Sequence, residues 1–208
     1  MREKSRHASL EDLKRGRHSL RPPPCLARFL AATRLALKRQ QTLGTQHVDQ
    51  AYPPTTTEQL PLIRNLYQFY AYESSDWEQE DVEVDGRFYV HEPHLQRYWQ
   101  DEGWSAQLIL IDDFIAGFLL LEACEDPGIA DMEFADLFLL RKYRRLGIGR
   151  ALLQQTVSDG RRWLVCCYQQ DELGSTFCRQ VLSGLPFAAR EQDSDGEEQG
   201  LQRFVVKA

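Results

Sequence analysis

The sequence predicts an α/β fold, a mixed sheet with helices on both sides. Three observations support it. Residues 106–122 read AQLILIDDFIAGFLLLE, two β-rich runs about Asp112-Asp113, the pattern of a hairpin. Residues 137–153 read LFLLRKYRRLGIGRALL, an apolar strand that passes through a glycine-containing loop into a helix. The element order α-α-β-β-β-α-β-α-β sets a helix between the central strands, as a crossover requires.

Taken in order, Tyr52-Pro53-Pro54 reads as a linker, and Thr55 to Glu58 has the spacing of a capping box. Leu62, Ile63, Leu66, Phe69 and Tyr70 then follow a helical period, which predicts a first helix near 59–73. A polar acidic stretch from Glu73 to Asp85 ends at Gly86. A second helix is predicted near 93–102, with Leu95, Tyr98 and Trp99 on its apolar side. After the hairpin come a turn at Asp126-Pro127-Gly128 and a strand over 129–140. Asp159-Gly160 stops the helix that follows the glycine loop. Trp163 to Cys167 predicts a strand, 173–183 a helix, Glu191 to Glu198 an acidic loop, and Leu201 to Val206 the final strand.

The charge is unevenly spread. The 208 residues carry 25 Lys+Arg and 31 Asp+Glu, a net charge of −6. Residues 1–50 hold 11 basic and four acidic groups, or +7, and the other 158 residues hold −13. The split predicts a basic N-terminal extension, residues 1–50, flexible or partly helical, and one domain over 51–208. Within the extension, CLARFLAATRLALKRQ at 25–40 has three readings. It is a basic amphipathic helix for an acidic partner or membrane surface, a targeting presequence, or a segment with no role of its own. The acids Glu3, Glu11 and Asp12 count against a presequence, and the last reading is favoured. Translation from Val48 at an alternative codon would leave a domain of about 160 residues.

With 42% hydrophobic and 27% charged residues, the composition excludes a disordered or collagen-like chain. No apolar run approaches the ~18–20 residues of a membrane span. Five cysteines, Cys25, Cys124, Cys166, Cys167 and Cys178, fit neither a zinc pattern nor a disulfide framework, so a reducing cytoplasm is expected. The −13 domain opposes nucleic-acid binding through phosphate repulsion.

The chemistry concentrates at Arg144-Arg145-Leu146-Gly147-Ile148-Gly149. Amides in such a loop point into a concave nest, and the helix after it adds unpaired N–H donors and partial positive charge. Glycines remove Cβ atoms from a ligand's path. Arg141, Lys142, Arg144, Arg145 and Arg150 add five cations. The combination suits a phosphate or pyrophosphate. Leu152 stands where a dinucleotide fingerprint needs a third glycine, and Arg150-Ala151 replaces the Lys-Ser/Thr of a Walker loop.

The six residues match the Arg/Gln-x-x-Gly-x-Gly/Ala loop of the GNAT N-acetyltransferases, and the strand before, helix after and hairpin upstream agree. The chain over about residues 55–207 resembles that superfamily. QFYAYESSDW, GRF, LQRYW and IAGFLLLE carry a closer likeness to a group of its bacterial members. The resemblance implies a central, mixed, mostly antiparallel sheet flanked by helices, with two central strands splayed apart. It implies an acetyl-CoA-dependent enzyme that acetylates a primary amine of a small molecule or protein by direct attack. The alternative is an acyl-CoA-binding module without turnover. A homodimer fits either reading, and no metal or membrane is implied.

By the same resemblance, Leu137 and Leu139 would pair with the pantetheine arm, and Arg144, Arg145, Leu146, Gly147, Ile148, Gly149 and Arg150 would hold the pyrophosphate. Asp136 is the first candidate for the general base and Glu133 the second; a structural Asp136 paired with an arginine is the competing reading. Relatives often carry Asn-x-x-Ala-x-x-Phe/Leu-Tyr on the last helix. Aligned on Phe177, this chain has Asp171, Gly174 and Cys178 in place of the Asn, Ala and Tyr. Cys178 is the candidate general acid, with Tyr168 behind it. The acceptor is expected between the first two helices and the hairpin. There the acidic stretch from Asp76 to Asp85 would steer a cation, and Trp77, Phe88, Tyr89, Tyr98 and Trp99 offer aromatic walls.

Overall fold

A computed structural model describes residues 50–186, 189–192 and 200–207. Residues 1–49, with the expected helix at 25–40, and residues 193–199 of the acidic loop lie outside the described residues.

Seven strands form one sheet: β1 (Gln50–Ala51), β2 (Ser105–Ile111), β3 (Phe114–Ala123), β4 (Met132–Leu139), β5 (Arg162–Tyr168), β6 (Ala189–Gln192) and β7 (Leu201–Lys207). Their order is β1-β2-β3-β4-β5-β7-β6, and every adjacent pair is antiparallel except β4 and β5. The helices are α1 (Leu60–Glu78), α2 (Glu92–Gln100), α3 (Ile148–Thr156) and α4 (Glu172–Leu182). Parallel neighbours need a crossover, and α3 supplies it between β4 and β5. The predicted mixed sheet with helices on both sides is therefore present.

Two cores sit on opposite faces. Ile63 and Leu66 of α1 and Leu95 and Tyr98 of α2 pack on Leu108, Phe118, Leu120 and Phe138. On the other face, Ile148, Leu152 and Leu153 of α3 and Val181 and Leu182 of α4 pack on Leu119, Phe134, Trp163, Val165 and Val206. Each fully buried aliphatic side chain contributes about 1.5–3 kcal/mol through loss of apolar surface to water.

The hairpin turn follows from its two aspartates. Asp112 and Asp113 have φ of 49° and 64°, the left-handed pair of a type I′ turn, which Asp tolerates better than most residues. Elsewhere the structure corrects the sequence reading. Tyr52-Pro53-Pro54 is not a free linker: Leu108 N–H donates to Pro53 O (3.2 Å) and Pro54 bridges Gln107. Prolines are tolerated at a sheet edge, where their missing N–H costs no ladder bond. Thr55 is not the cap, because its Oγ1 donates to Ala106 O (2.9 Å). The box lies one residue on, with Thr56 N–H donating to Gln59 Oε1 (3.0 Å). α1 runs to Glu78, past its expected end, and stops at the left-handed Gln79, φ 56°. β6 takes Glu191 and Gln192 out of the expected loop and pairs them with Phe204 and Arg203. Its sequence AREQ is that of a charged edge, which lacks an apolar pattern to betray it.

β4 positions the site. It pairs with β5 only at Met132↔Trp163, Glu133↔Leu164 and Phe134↔Val165. Beyond that, β5 stays with β7 as far as Tyr168, and β4 stays with β3 as far as Leu139. The two parallel strands diverge. At the divergence Leu120 faces Asp136 and Leu121 faces Phe134, so Ala135 is an extra, bulged residue. The bulge shifts the alternation of the strand. Phe134 and Leu137 both pack on the α3–α4 side, whereas Ala135 and Phe138 pack on the α1–α2 side.

Candidate active site

A cleft of about 1450 Å³ occupies the divergence of β4 and β5. Leu140 N–H donates to Ala116 O (2.8 Å), so strand alternation turns the backbone groups of Leu139 and Leu137 toward the open side. Leu137 is placed where an extended ligand could pair with it. The carbonyl of Leu139 already accepts from Arg144 Nε (2.6 Å).

The glycine loop closes one end of this cleft. A 3-10 turn, Arg141–Tyr143, leads to Arg145 at φ 63° and to Gly147 at φ 82°, the N-cap of α3. The backbone N–H groups from Arg145 to Arg150 find no acceptor among the described residues. Six amides around a helix N-terminus make a cradle for an anion. The two glycines do different work. Gly147 needs its left-handed φ, and a Cβ there would meet nothing within 4 Å. Gly149 is buried, and a Cβ would lie 3.1 Å from Phe177 Cε2 and 3.4 Å from Leu137 Cδ2. It therefore lets α3 close on α4 and β4, and ligand access is not its constraint.

The five cations are not equivalent. Glu73 of α1 takes Arg144 Nη2 and, at 3.1 Å, Arg141 Nε. With its second bond to Leu139 O, Arg144 is committed to holding the loop on β4 and α1. Lys142 sits over the Tyr143 ring (4.5 Å), and Arg150 Nη2 reaches Gln180 O (3.4 Å). Among the described residues, Arg145 is exposed and has no protein partner.

At the other end of the cleft two carboxylates stand with pKa values well above the ordinary range. Asp136 keeps a partly accessible edge on the cleft, yet protein surrounds it densely. Burial pushes it up to about 6, against a hydrogen bond from Tyr70 that favours the charged form. Its partner is thus a tyrosine, where an arginine was the competing expectation. Glu133 is pushed up to about 7 by burial and by the negative charge of Glu122, its cross-strand partner; a hydrogen bond with Cys166 acts the other way. Glu122 is itself held by the Tyr98 hydroxyl, which donates to Oε1, and by His94 Nε2 at 3.4 Å. Carboxylates with raised pKa in a cleft suit proton transfer near neutral pH.

Cys178 lies on α4, buried in the α3–α4 core and at the edge of the cleft. Its hydrogen bond to Cys167 and its burial push its thiol up, and the same bond holds Cys167 down. A thiol so raised is a weaker acid than an ordinary thiol, so donating a proton to a departing thiolate would run uphill. Tyr168 lines the cleft at the end of β5 and is 40% exposed. Asp171 has taken the capping role, its Oδ1 accepting from Gly174 N–H (2.9 Å).

The acidic stretch lies partly on α1 and partly in the loop after it, with Glu80 to Asp85 exposed. Of the expected aromatic walls, Tyr98 is core, Trp99 packs on that core, Trp77 lines the cleft and Tyr89 lines a second pocket. Phe88 N–H donates to Gln68 Oε1 (2.9 Å) and Gln68 Nε2 donates to Phe88 O (3.1 Å), pinning the loop to α1. Tyr70, Glu73, His94 and Glu122 escaped the sequence reading. Tyr70 and Glu73 sit three apart on one helix face inside QFYAYESSDW, and Glu122 ends IAGFLLLE, so the signal lay in stretches already singled out.

The comparisons with known proteins agree with this geometry. No curated protein matches the sequence closely enough to count as a relative. Among solved structures, the chain is similar to an acetyltransferase from Thermus thermophilus (TM-score 0.56, 17% identity, 78% of this chain and 100% of that one). It is also similar to the PaiA N-acetyltransferase from Thermoplasma acidophilum in complex with coenzyme A (0.52, 15%, 77% and 99%). A third is YncA from Salmonella typhimurium with its cofactor acetyl-CoA (0.50, 12%, 76% and 92%). At these identities the likeness is one of fold. The model of the acetyltransferase (GNAT) family matches residues 62–175, more than half of the chain and all of β4, the loop and α3. The chain belongs to the GNAT acetyltransferase family.

Proposed function

We propose that the protein is an acetyl-CoA-dependent N-acetyltransferase that transfers the acetyl group to a primary amine by direct attack. The observation that carries the reading is the divergence of β4 from β5 beside six backbone amides without acceptors, with Asp136 on the divergent strand. Two of the similar structures, 15% and 12% identical, hold coenzyme A or acetyl-CoA, which supports the same cofactor here.

The residues fit that cofactor. The amides from Arg145 to Arg150 would hold the pyrophosphate, with the Arg145 and Arg150 side chains adding charge. The open backbone of Leu137 would pair with the pantetheine amides. Arg144 would act indirectly by fixing the loop. Acetyl-CoA supplies a thioester activated toward nucleophiles.

The chain's own part is proton handling. Asp136 takes one proton from the acceptor ammonium, directly or through water, and Tyr70 steadies the carboxylate that does so. The neutral nitrogen forms its bond to the acetyl carbon as the carbon–sulfur bond breaks. The second nitrogen proton leaves as the amide forms and neutralises the thiolate; the proton on Asp136 returns to solvent. Glu133, near pKa 7, stands behind Asp136 as a second base. The chemistry is confined to 51–208, with residues 1–50 an appendage and the cytoplasm its compartment.

The test is free CoA thiol released on mixing protein, acetyl-CoA and an amine library. Release with at least one amine is the expected result. The other reading, a CoA-binding module without turnover, draws on the buried Cys178 in place of the usual tyrosine. Tight CoA binding by calorimetry with no release over any amine would establish it.

A further inference from the structure

A second pocket of about 280 Å³ lies under the α1–α2 side of β4, between the end of α1, the loop after it and α2. It touches the large cleft: His94 and Asp136 line both. Five rings line it, Tyr67, Tyr89, Tyr98, His91 and His94, with aliphatic side chains between them. Its acids are Glu78, Glu80 and Asp136, and neither lysine nor arginine lines it. Glu78 is oriented from within the fold. Ser74, 1% exposed, lines the pocket and donates to Glu78 Oε2 (3.2 Å).

We infer that this pocket receives the acceptor, and that the acceptor is a small linear amine carrying a second positive charge, a diamine or short polyamine. The inference rests on the acetyl-transfer reading. The reacting nitrogen must give up its charge at Asp136 before it attacks. Glu78 and Glu80, exposed at the mouth of the pocket, then offer partners to a second positive charge on the same molecule. Burial and Glu80 push Glu78 upward against the hydrogen bond from Ser74, and a cation beside it would favour its charged form. Tyrosine faces add attraction for an ammonium. An amino acid fits poorly, since its carboxylate would meet three acids and neither lysine nor arginine.

The experiment titrates the full chain, with CoA present, with cadaverine, pentylamine and aminovalerate. The three share a five-carbon chain and differ in the far end. Cadaverine should bind about tenfold or more tighter than pentylamine, with aminovalerate weakest. In Glu78→Gln/Glu80→Gln that preference should fall to about twofold or less while CoA affinity holds, which also reports an intact fold. Asp85→Asn, outside the pocket, should leave it unchanged. Equal binding of cadaverine and pentylamine, preference for aminovalerate, or a preference that survives the double variant would overturn the inference. A thiol-release assay on the same samples separates the two claims. Charge-dependent cadaverine binding without release sinks acetyl transfer and keeps the pocket assignment; release that favours pentylamine keeps acetyl transfer and sinks the assignment.

Discussion

The two faces of the sheet divide the work of this protein differently. Under α3 and α4 the buried side chains are chiefly aliphatic or aromatic, with the Cys167–Cys178 pair among them, and backbone amides of the glycine loop stand at their edge. Under α1 and α2 the face carries Tyr67, Tyr70, Tyr98, His94, Glu122, Glu133 and Asp136, a cluster of titratable groups whose tyrosines and two of whose acids are raised by burial and by one another. A backbone cradle needs only a short local sequence, whereas a tuned acid–base site needs groups from four elements. Among the described residues, the first face presents backbone donors suited to an anion, and the second presents carboxylates raised toward neutral pH.

The contrast can be broken most severely at Asp136. Asp136→Asn should lower kcat by roughly 10²–10⁴-fold and leave CoA affinity unchanged, as expected for a group that acts only in proton transfer. Comparable losses in both would assign Asp136 to cofactor binding instead. The reverse experiment is Gly149→Val. The added side chain meets Phe177 and should cost about 1–3 kcal/mol by overpacking, lower Tm and abolish CoA binding. Phe177→Ala in the same chain should recover part of the loss, seen as coupling in a double-mutant cycle. Gly147→Ala meets no clash and has only its φ of 82° to hold, so about 1–2 kcal/mol is expected, with Gly147→Asn milder. Equal costs at 147 and 149 would erase the distinction between a conformational and a packing glycine.

The smallest effect is a pH dependence. Asp136 and Glu133 have folded-state pKa values near 6 and 7, above their unfolded values of about 4. For groups so raised, stability is greatest below the unfolded pKa and is lost as pH rises through the folded one. Tm should therefore fall between about pH 4 and 7, and Glu133→Gln should flatten part of that fall. Turnover runs the other way: kcat/KM should rise with pH through about 6 as Asp136 ionises. A Tm slope identical in Glu133→Gln and the parent would remove Glu133 from the buried cluster.

The same contrast explains what could be read from the residues alone. The hairpin, the crossover and the glycine loop are local, and each announces itself through turn residues or apolar runs. Asp136 was legible as a carboxylate on the strand that feeds the loop. Glu122 beside Glu133, Tyr70 on Asp136 and Glu73 under Arg144 were not. They depend on register between strands, or on how a helix docks against residues some 66–71 positions away in the chain. β6 and the strand-like path of Pro53 and Pro54 escaped for a related reason: edges carry charge and proline, which also mark loops.

The bulge at Ala135 has a consequence for how such a site can be gained or lost. Along an unbroken strand, Asp136 would point with Phe134 and Met132 into the aliphatic core. One surplus residue makes the strand run in two frames, so that the acid and the aliphatic positions after it exchange sides. Giving β3 one more residue opposite Ala135 would keep every residue of the site in the chain and yet flatten the bulge and turn the carboxylate toward the aliphatic core. Strand length, at this one position, places the carboxylate as much as residue identity does.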